Sequence, residues 1–474
     1  MKASWVFVPG KQKGSRQKKK MRKQSRSFLL SFCLIAGMLL GGCTSFVGVD
    51  SLLAPPQLAG DQQEIYNALV KSVTGDIQLV YPRTGSYKSA ITLLDIDNEQ
   101  TEEAIAFYEL NSGATGQNAS MPLRVNILDR REDRWVSVYD MGVDADEVEK
   151  IDLLYSDDGS IYLVVGYNYA AASDKQVKVY QFIDNILTVK QEFNALNYEV
   201  CDLDEDDGDE IVKLISVASP GKDGENTQSH VEAKLIQVRG RSFMDANQVL
   251  MYPPVTEYAQ IHVGKLSDGK AAVFIDGMVG TQMVSEILYC DGSNYLKNLL
   301  YDGTEESLGS LALTQRSAGI YSMDVEGDGS YEIPQMLVAP GYEHKERYEQ
   351  IYFTYWHSYS SSGSHRSYCS YTDFSLGYVF RMPSSWGDKV TAEVSAVDNE
   401  VTFYEYDPHT GERGTAILSI RVMSRSAYST GEVSGKYQKL FISGQFVFLF
   451  DSHNDMSALS LSENHVRDSL YLLS

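Results

Sequence analysis

Cysteine is scarce, with five residues among 474, and only Cys201, Cys290 and Cys369 lie beyond residue 43. Three distant cysteines allow at most one disulfide and no C-x-x-C metal pair, so the fold has to be held by its core. All three are expected as buried thiols. Positive charge is also in short supply: 41 Lys and Arg face 64 Asp and Glu, a formal charge of −23. Ten of those bases precede residue 43 with no acid among them, so the rest of the chain is more acidic still. Such a body repels polyphosphate, which excludes non-specific binding of nucleic acid. Linear catalytic signatures are missing too: there is no G-x-S-x-G elbow, H-E-x-x-H pair, P-loop or G-x-G-x-x-G unit. Beyond residue 43, two S-x-x-K matches, at Ser219 and Ser267, fall in Gly/Pro turns, and the eight histidines are scattered.

What is present begins with an address. Arg22, Lys23 and Arg26 precede an uncharged apolar run from Phe28 to Gly42. That run is short of the roughly 20 residues that span a bilayer as a helix, and it reads as a signal peptide over residues 1–42. Met21 opens a compact version of the same signal. The run ends Leu40-Gly41-Gly42-Cys43-Thr44, which resembles the bacterial lipobox. The resemblance implies that Cys43 is diacylated and becomes the mature N-terminus, placing the body on the extracytoplasmic face of the cell membrane. Each buried methylene contributes about 0.8 kcal/mol to such anchoring. Residues 43–60 form the tether.

Residues Asp61–Gly75 read as one helix, with Ile65, Leu69 and Val73 on one face. From Ile77 to Phe374 the pattern becomes short alternating runs rich in Val, Ile, Tyr and Phe, divided by Asp, Gly and Asn turns. Three turns align: Asp95, Asp97, Glu99 and Glu103; Asp202, Asp204, Asp206 and Glu210; Asp324, Glu326, Asp328 and Glu332. Each has acids at positions 1, 3, 5 and 9, apolar residues before it and a strand-like run after it. A turn between two strands gathers alternate side chains, and a hard cation such as Ca²⁺ wants six to eight oxygens at about 2.3–2.6 Å. Asp-Gly turns at Asp158 and Asp268 sit between these loops without the ladder of acids, so five repeats are visible.

The loops resemble the FG-GAP/VCBS repeats of integrin-like β-propellers, in which D-x-D-x-D-G-x-x-D/E precedes an aliphatic strand. The second and third match best; the first has Gln100 where that family prefers Gly. The resemblance implies a mainly β fold, with a β-propeller of five to seven blades over residues 61–372 and structural calcium in the loops. The Tyr-rich run Tyr348–Tyr371 would supply late strands, and its stripe Tyr352, Phe353, Tyr355 and Trp356 reads as packing. After Asp373, the segment Gly377–Trp386 resembles the opening of small α+β domains at the end of clostridial-type lipoproteins. A C-terminal α+β domain over 373–474 is therefore expected, ending in a helix opened by Ser462 with Val466, Leu470 and Leu473 on one face. The expected function is binding or scaffolding at the cell envelope, with an envelope protein or glycan as partner, and no enzyme. The alternative is an enzyme acting on wall glycans or proteins, with its site in the propeller funnel. Polar side chains converging in that funnel would favour the enzyme, and a featureless acidic rim would favour the binding protein.

Overall fold

The computed structural model describes residues 60–110, 123–219, 228–292, 295–431, 435–453 and 456–473. The expected signal peptide, Cys43 and all but the last residue of the expected tether lie outside these residues. The chain is mainly β, and the described strands form six antiparallel sheets. The second (147–195) and third (197–250) are four-strand meanders in sequence order, and the first (77–142) and fourth (257–317) add short edge strands. The fifth joins 333–382 to a final strand, Leu470–Leu472, and the sixth occupies 390–452. No helix among the described residues is long and apolar enough to cross a membrane.

Burial follows strand position. Ile161–Asn168, an inner strand, is buried along nearly its whole length, as a near-continuous apolar run requires. The outer strand Ile186–Ala195 of the same sheet carries mostly exposed side chains. The strand Lys175–Ile183 turns into that outer strand through a hairpin in which Ile183 pairs with Ile186 across Asp184 and Asn185, which take φ of 51° and 61°. Two successive left-handed residues match the twist of a tight hairpin, and Asp and Asn tolerate them.

Successive sheets bury their faces against each other. Ile105, Phe107 and Ile127 of the first meet Ile151, Leu163 and Val165 of the second. Leu154, Tyr162 and Val164 then meet Tyr198, Ile211 and Ile236 of the third, and Val212 and Leu214 meet Val273 and Ile275 of the fourth. Phe353 and Phe380 of the fifth sheet share a core with Trp386, Phe403 and Phe448. The aromatic stripe packs as expected at Phe353 and Trp356, which are buried, the indole donating to Ser370 Oγ. Gly166 permits one close approach: a Cβ there would lie 2.8 Å from Tyr198 Oη.

Several local expectations change. The first helix, Asp61–Ser72, stops before Gly75. Cys201 and Cys290 are buried free thiols, whereas Cys369 is only partly buried. Residue 373 ends a strand paired on both edges, so the fifth sheet takes strands from either side of the compositional change. Ser462 does cap a helix, accepting from His465 N, but that helix is only Glu463–Asp468. Leu470 then pairs with Phe380 as an edge strand, because ladder hydrogen bonds compensate the chain better there than one more helical turn would.

Candidate functional site

The three acidic turns each stand at the entrance to a strand: an inner strand of the first and third sheets, and the edge strand Ile333–Val338 of the fifth. Their wiring is shared. The first aspartate accepts backbone amides with both oxygens: Asp95 from Asn98 and Gln100, Asp202 from Asp206 and Asp207, Asp324 from Gly327, Asp328 and Gly329. At position 9 the glutamate turns inward. Glu103 Oε2 accepts Ile96 N at 2.9 Å, and Glu210 Oε2 accepts Leu203 N at 3.1 Å. The other oxygen in each case, and Oε2 of Glu332, is buried without a hydrogen-bond partner. Burial, with the neighbouring carboxylates adding to it, pushes Glu103 up to about 7 and Glu210 and Glu332 to about 8.

The loops differ in how far their acids converge. Carboxylate oxygens of Asp95, Asp97 and Glu103 lie within 4.8 Å of one another, and so do those of Asp202, Asp204 and Asp206. A further group joins Glu99 and Glu103 to Asp129, which no linear motif includes. Among the described residues Asp324, Glu326, Asp328 and Glu332 form no such group. The first loop, the poorest match by sequence, is therefore among the better gathered. Burial also raises Asp97 and Asp204, followed in each case by a neighbouring carboxylate.

A second site was invisible in the linear sequence. Strands Glu147–Tyr155, Asn197–Cys201 and Glu257–Lys265 open the second, third and fourth sheets, and with residues 84–88 they line a cleft of about 760 Å³. At its floor Lys150 Nζ lies 2.9 Å from Glu199 Oε2 and 3.4 Å from Asp152 Oδ2. The ammonium also sits 4.3 Å from the centre of the Tyr198 ring, the ring that Gly166 admits. The Lys150 side chain is only 7% exposed. Burial raises Asp152 and Glu199, though the ammonium pulls both back. For Lys150 burial acts downward, but its two carboxylate partners prevail and the net shift is upward. Lys175 donates to Leu196 O at 2.8 Å, and burial lowers its pKa. His262, another lining residue, is likewise lowered by burial.

Carboxyl groups raised by burial, beside the ammonium they hold and a second amine, Lys175, lowered by burial, are the components of general acid–base chemistry.

No family profile matches the chain, and no curated protein matches it significantly. Solved structures similar to it include an exotype rhamnogalacturonan lyase, at 11% identity over 72% of this chain and 74% of that one, with a TM-score of 0.31. A Bacillus licheniformis rhamnogalacturonan lyase has 12% identity over 71% and 77%, TM-score 0.31. The periplasmic gluconolactonase of Pseudomonas aeruginosa has 14% over 71% and 86%, TM-score 0.28. Scores this low carry neither substrate nor mechanism across. These neighbours are enzymes, against the expectation of a non-enzyme, and at these scores they give this chain no activity of its own. That expectation rested on the want of a linear catalytic motif, and the cleft assembles its acid and base groups from separate strands.

Proposed function

We propose that the protein is a lipid-anchored envelope enzyme that acts on a wall glycan or protein in the cleft around Lys150, Asp152 and Glu199. The observation that carries this reading is the convergence of those three side chains on one cleft floor, which is the feature that favours an enzyme over an acidic rim. In this reading the first five sheets are propeller blades, each a meander packed on the next. The sixth, with the short helices Arg425–Ser429 and Glu463–Asp468, is the small α+β part. Cys43 carries the acyl chains that hold the body at the extracytoplasmic face.

Calcium in the acidic loops is part of the same proposal. The buried, unpartnered oxygens of Glu103, Glu210 and Glu332 fit a hard cation, because an unpaired buried carboxylate oxygen is costly and a cation satisfies it. Bound there, the ion would neutralise the clustered acids and pin the entry to the strand that follows, a structural role. Chelator should then lower the melting temperature measured in millimolar calcium; an unchanged melting temperature would reduce the loops to acidic turns.

The test of the main reading is turnover. The purified protein is incubated with a panel of wall glycans and peptides, and products are followed by mass spectrometry. Glu199→Gln and Asp152→Asn should each abolish product while leaving a folded protein. If nothing is turned over, but a glycan or envelope protein binds and the same substitutions weaken it, the cleft serves binding or scaffolding. That second reading is favoured by Lys150, which already forms an ion pair with each carboxylate.

A further inference from the structure

The three acidic loops share their wiring but not their neighbours. In the second, Arg239 reaches in from the strand Gln228–Arg239, its guanidinium 3.1 Å from Asp204 Oδ2 and 2.7 Å from Asp206 Oδ2. In the third, Arg381 pairs with Glu326 and lies over the Tyr368 ring, 4.6 Å from its centre. Both arginines come from strands outside the loop, and each neutralises the acid at position 3. The first loop is different. Among the described residues no lysine or arginine pairs with Asp95, Asp97 or Glu103. Asp129, from the strand Leu123–Arg131, adds a carboxylate to Glu99 and Glu103. Its own partner, Arg131, is half exposed and can swing away into water.

Glu103 supplies an observation independent of the cluster. Its residue is 1% exposed, Oε1 has no hydrogen-bond partner, and its carboxylate belongs to both groups of gathered acids. A carboxylate oxygen so placed is satisfied neither by protein nor by bulk water.

We propose that Arg239 and Arg381 are tethered competitors for a hard divalent cation in the second and third loops, so that the first loop, completed by Asp129, fills first. The inference rests on the calcium reading above. A guanidinium is weakly hydrated and bonds carboxylates through a rigid fork, so it occupies a ligand at little cost. A dication entering the second or third loop has to expel that fork or accept its repulsion at contact distance. At the first loop it meets no guanidinium on Asp95, Asp97 or Glu103, and Arg131, which pairs with Asp129, is half exposed.

Calorimetric titration of the purified full chain with calcium chloride tests this. The wild type should show one tight site and two weaker ones. Asp97→Asn, on an exposed turn, should remove the tight site. Arg239→Gln and Arg381→Gln should each tighten one weak site by about tenfold or more, with circular dichroism confirming that the variants stay folded. Three equal sites, indifferent to the arginine substitutions, would overturn the competition while leaving calcium binding intact. No heat from calcium with any variant, the arginine ones included, would overturn both.

Discussion

Lys150 is the residue whose removal says most about the cleft. Replacing it with Met keeps the stem and deletes the ammonium. Glu199 and Asp152, whose side chains are only 18% and 22% exposed, are then left facing each other uncompensated. Breaking a buried pair in this way costs about 3–5 kcal/mol, because the remaining charge keeps its desolvation penalty. Loss of the contact with the Tyr198 ring adds up to about 1 kcal/mol. Against a total stability of about 5–15 kcal/mol this is a large fraction. The cost should depend on pH with a definite sign. Both carboxyl groups already sit above their ordinary range, and without the ammonium they rise further. A carboxyl raised in the folded state contributes its stability below its unfolded pKa and loses it as pH climbs through the folded value. The variant should therefore be closer to wild type at pH 5 than at pH 8. Urea unfolding of Lys150→Met and of Lys150→Met/Glu199→Gln at both pH values measures this, with the double variant losing less than the single. A single variant within 1 kcal/mol of wild type at pH 8, or an equal loss at both pH values, would refute the account.

Other outcomes follow from the same structure. Burial pushes Glu286 up to about 7 from an ordinary value of 4.5, even though Tyr252 N and Asn298 Nδ2 donate to it at 2.8 and 2.7 Å. Its contribution is thus complete below about pH 4.5 and lost by pH 7, about 3 kcal/mol in all; Glu286→Gln should flatten that part of the pH–stability curve, read by denaturant titration from pH 4.5 to 8. Gly166→Ala should cost about 1–3 kcal/mol by driving a methyl into Tyr198, lowering the urea midpoint and loosening the cleft floor. Cys43→Ala should leave unprocessed precursor or released protein, seen by loss of radiolabelled acyl chain and of detergent-phase partitioning; persistent acylation would remove the anchor.

The sequence by itself determined what depends on neighbours along the chain. Period-two runs rich in Val, Ile and Tyr made the β content legible. Asp-Gly and Asp-x-Asp turns marked the passage from first to second strand in the second, third and fourth sheets and the entry to a strand in the first and fifth, because a tight turn needs those residues wherever it sits. The first aspartate of each acidic loop binds amides within five residues of itself, so that geometry too was written locally. The tertiary structure decided whatever crosses between strands far apart in sequence. Lys150 and Glu199 are 49 residues apart and meet only because the opening strands of two successive sheets lie side by side. Arg239 and Arg381 stand 35 and 55 residues from the carboxylates they neutralise, and no spacing within a loop could announce them. The helical periodicity of Val466, Leu470 and Leu473 gave way after Asp468 for the same reason: a free strand edge at Tyr378–Phe380 offered hydrogen bonds that a helix-period pattern cannot foresee.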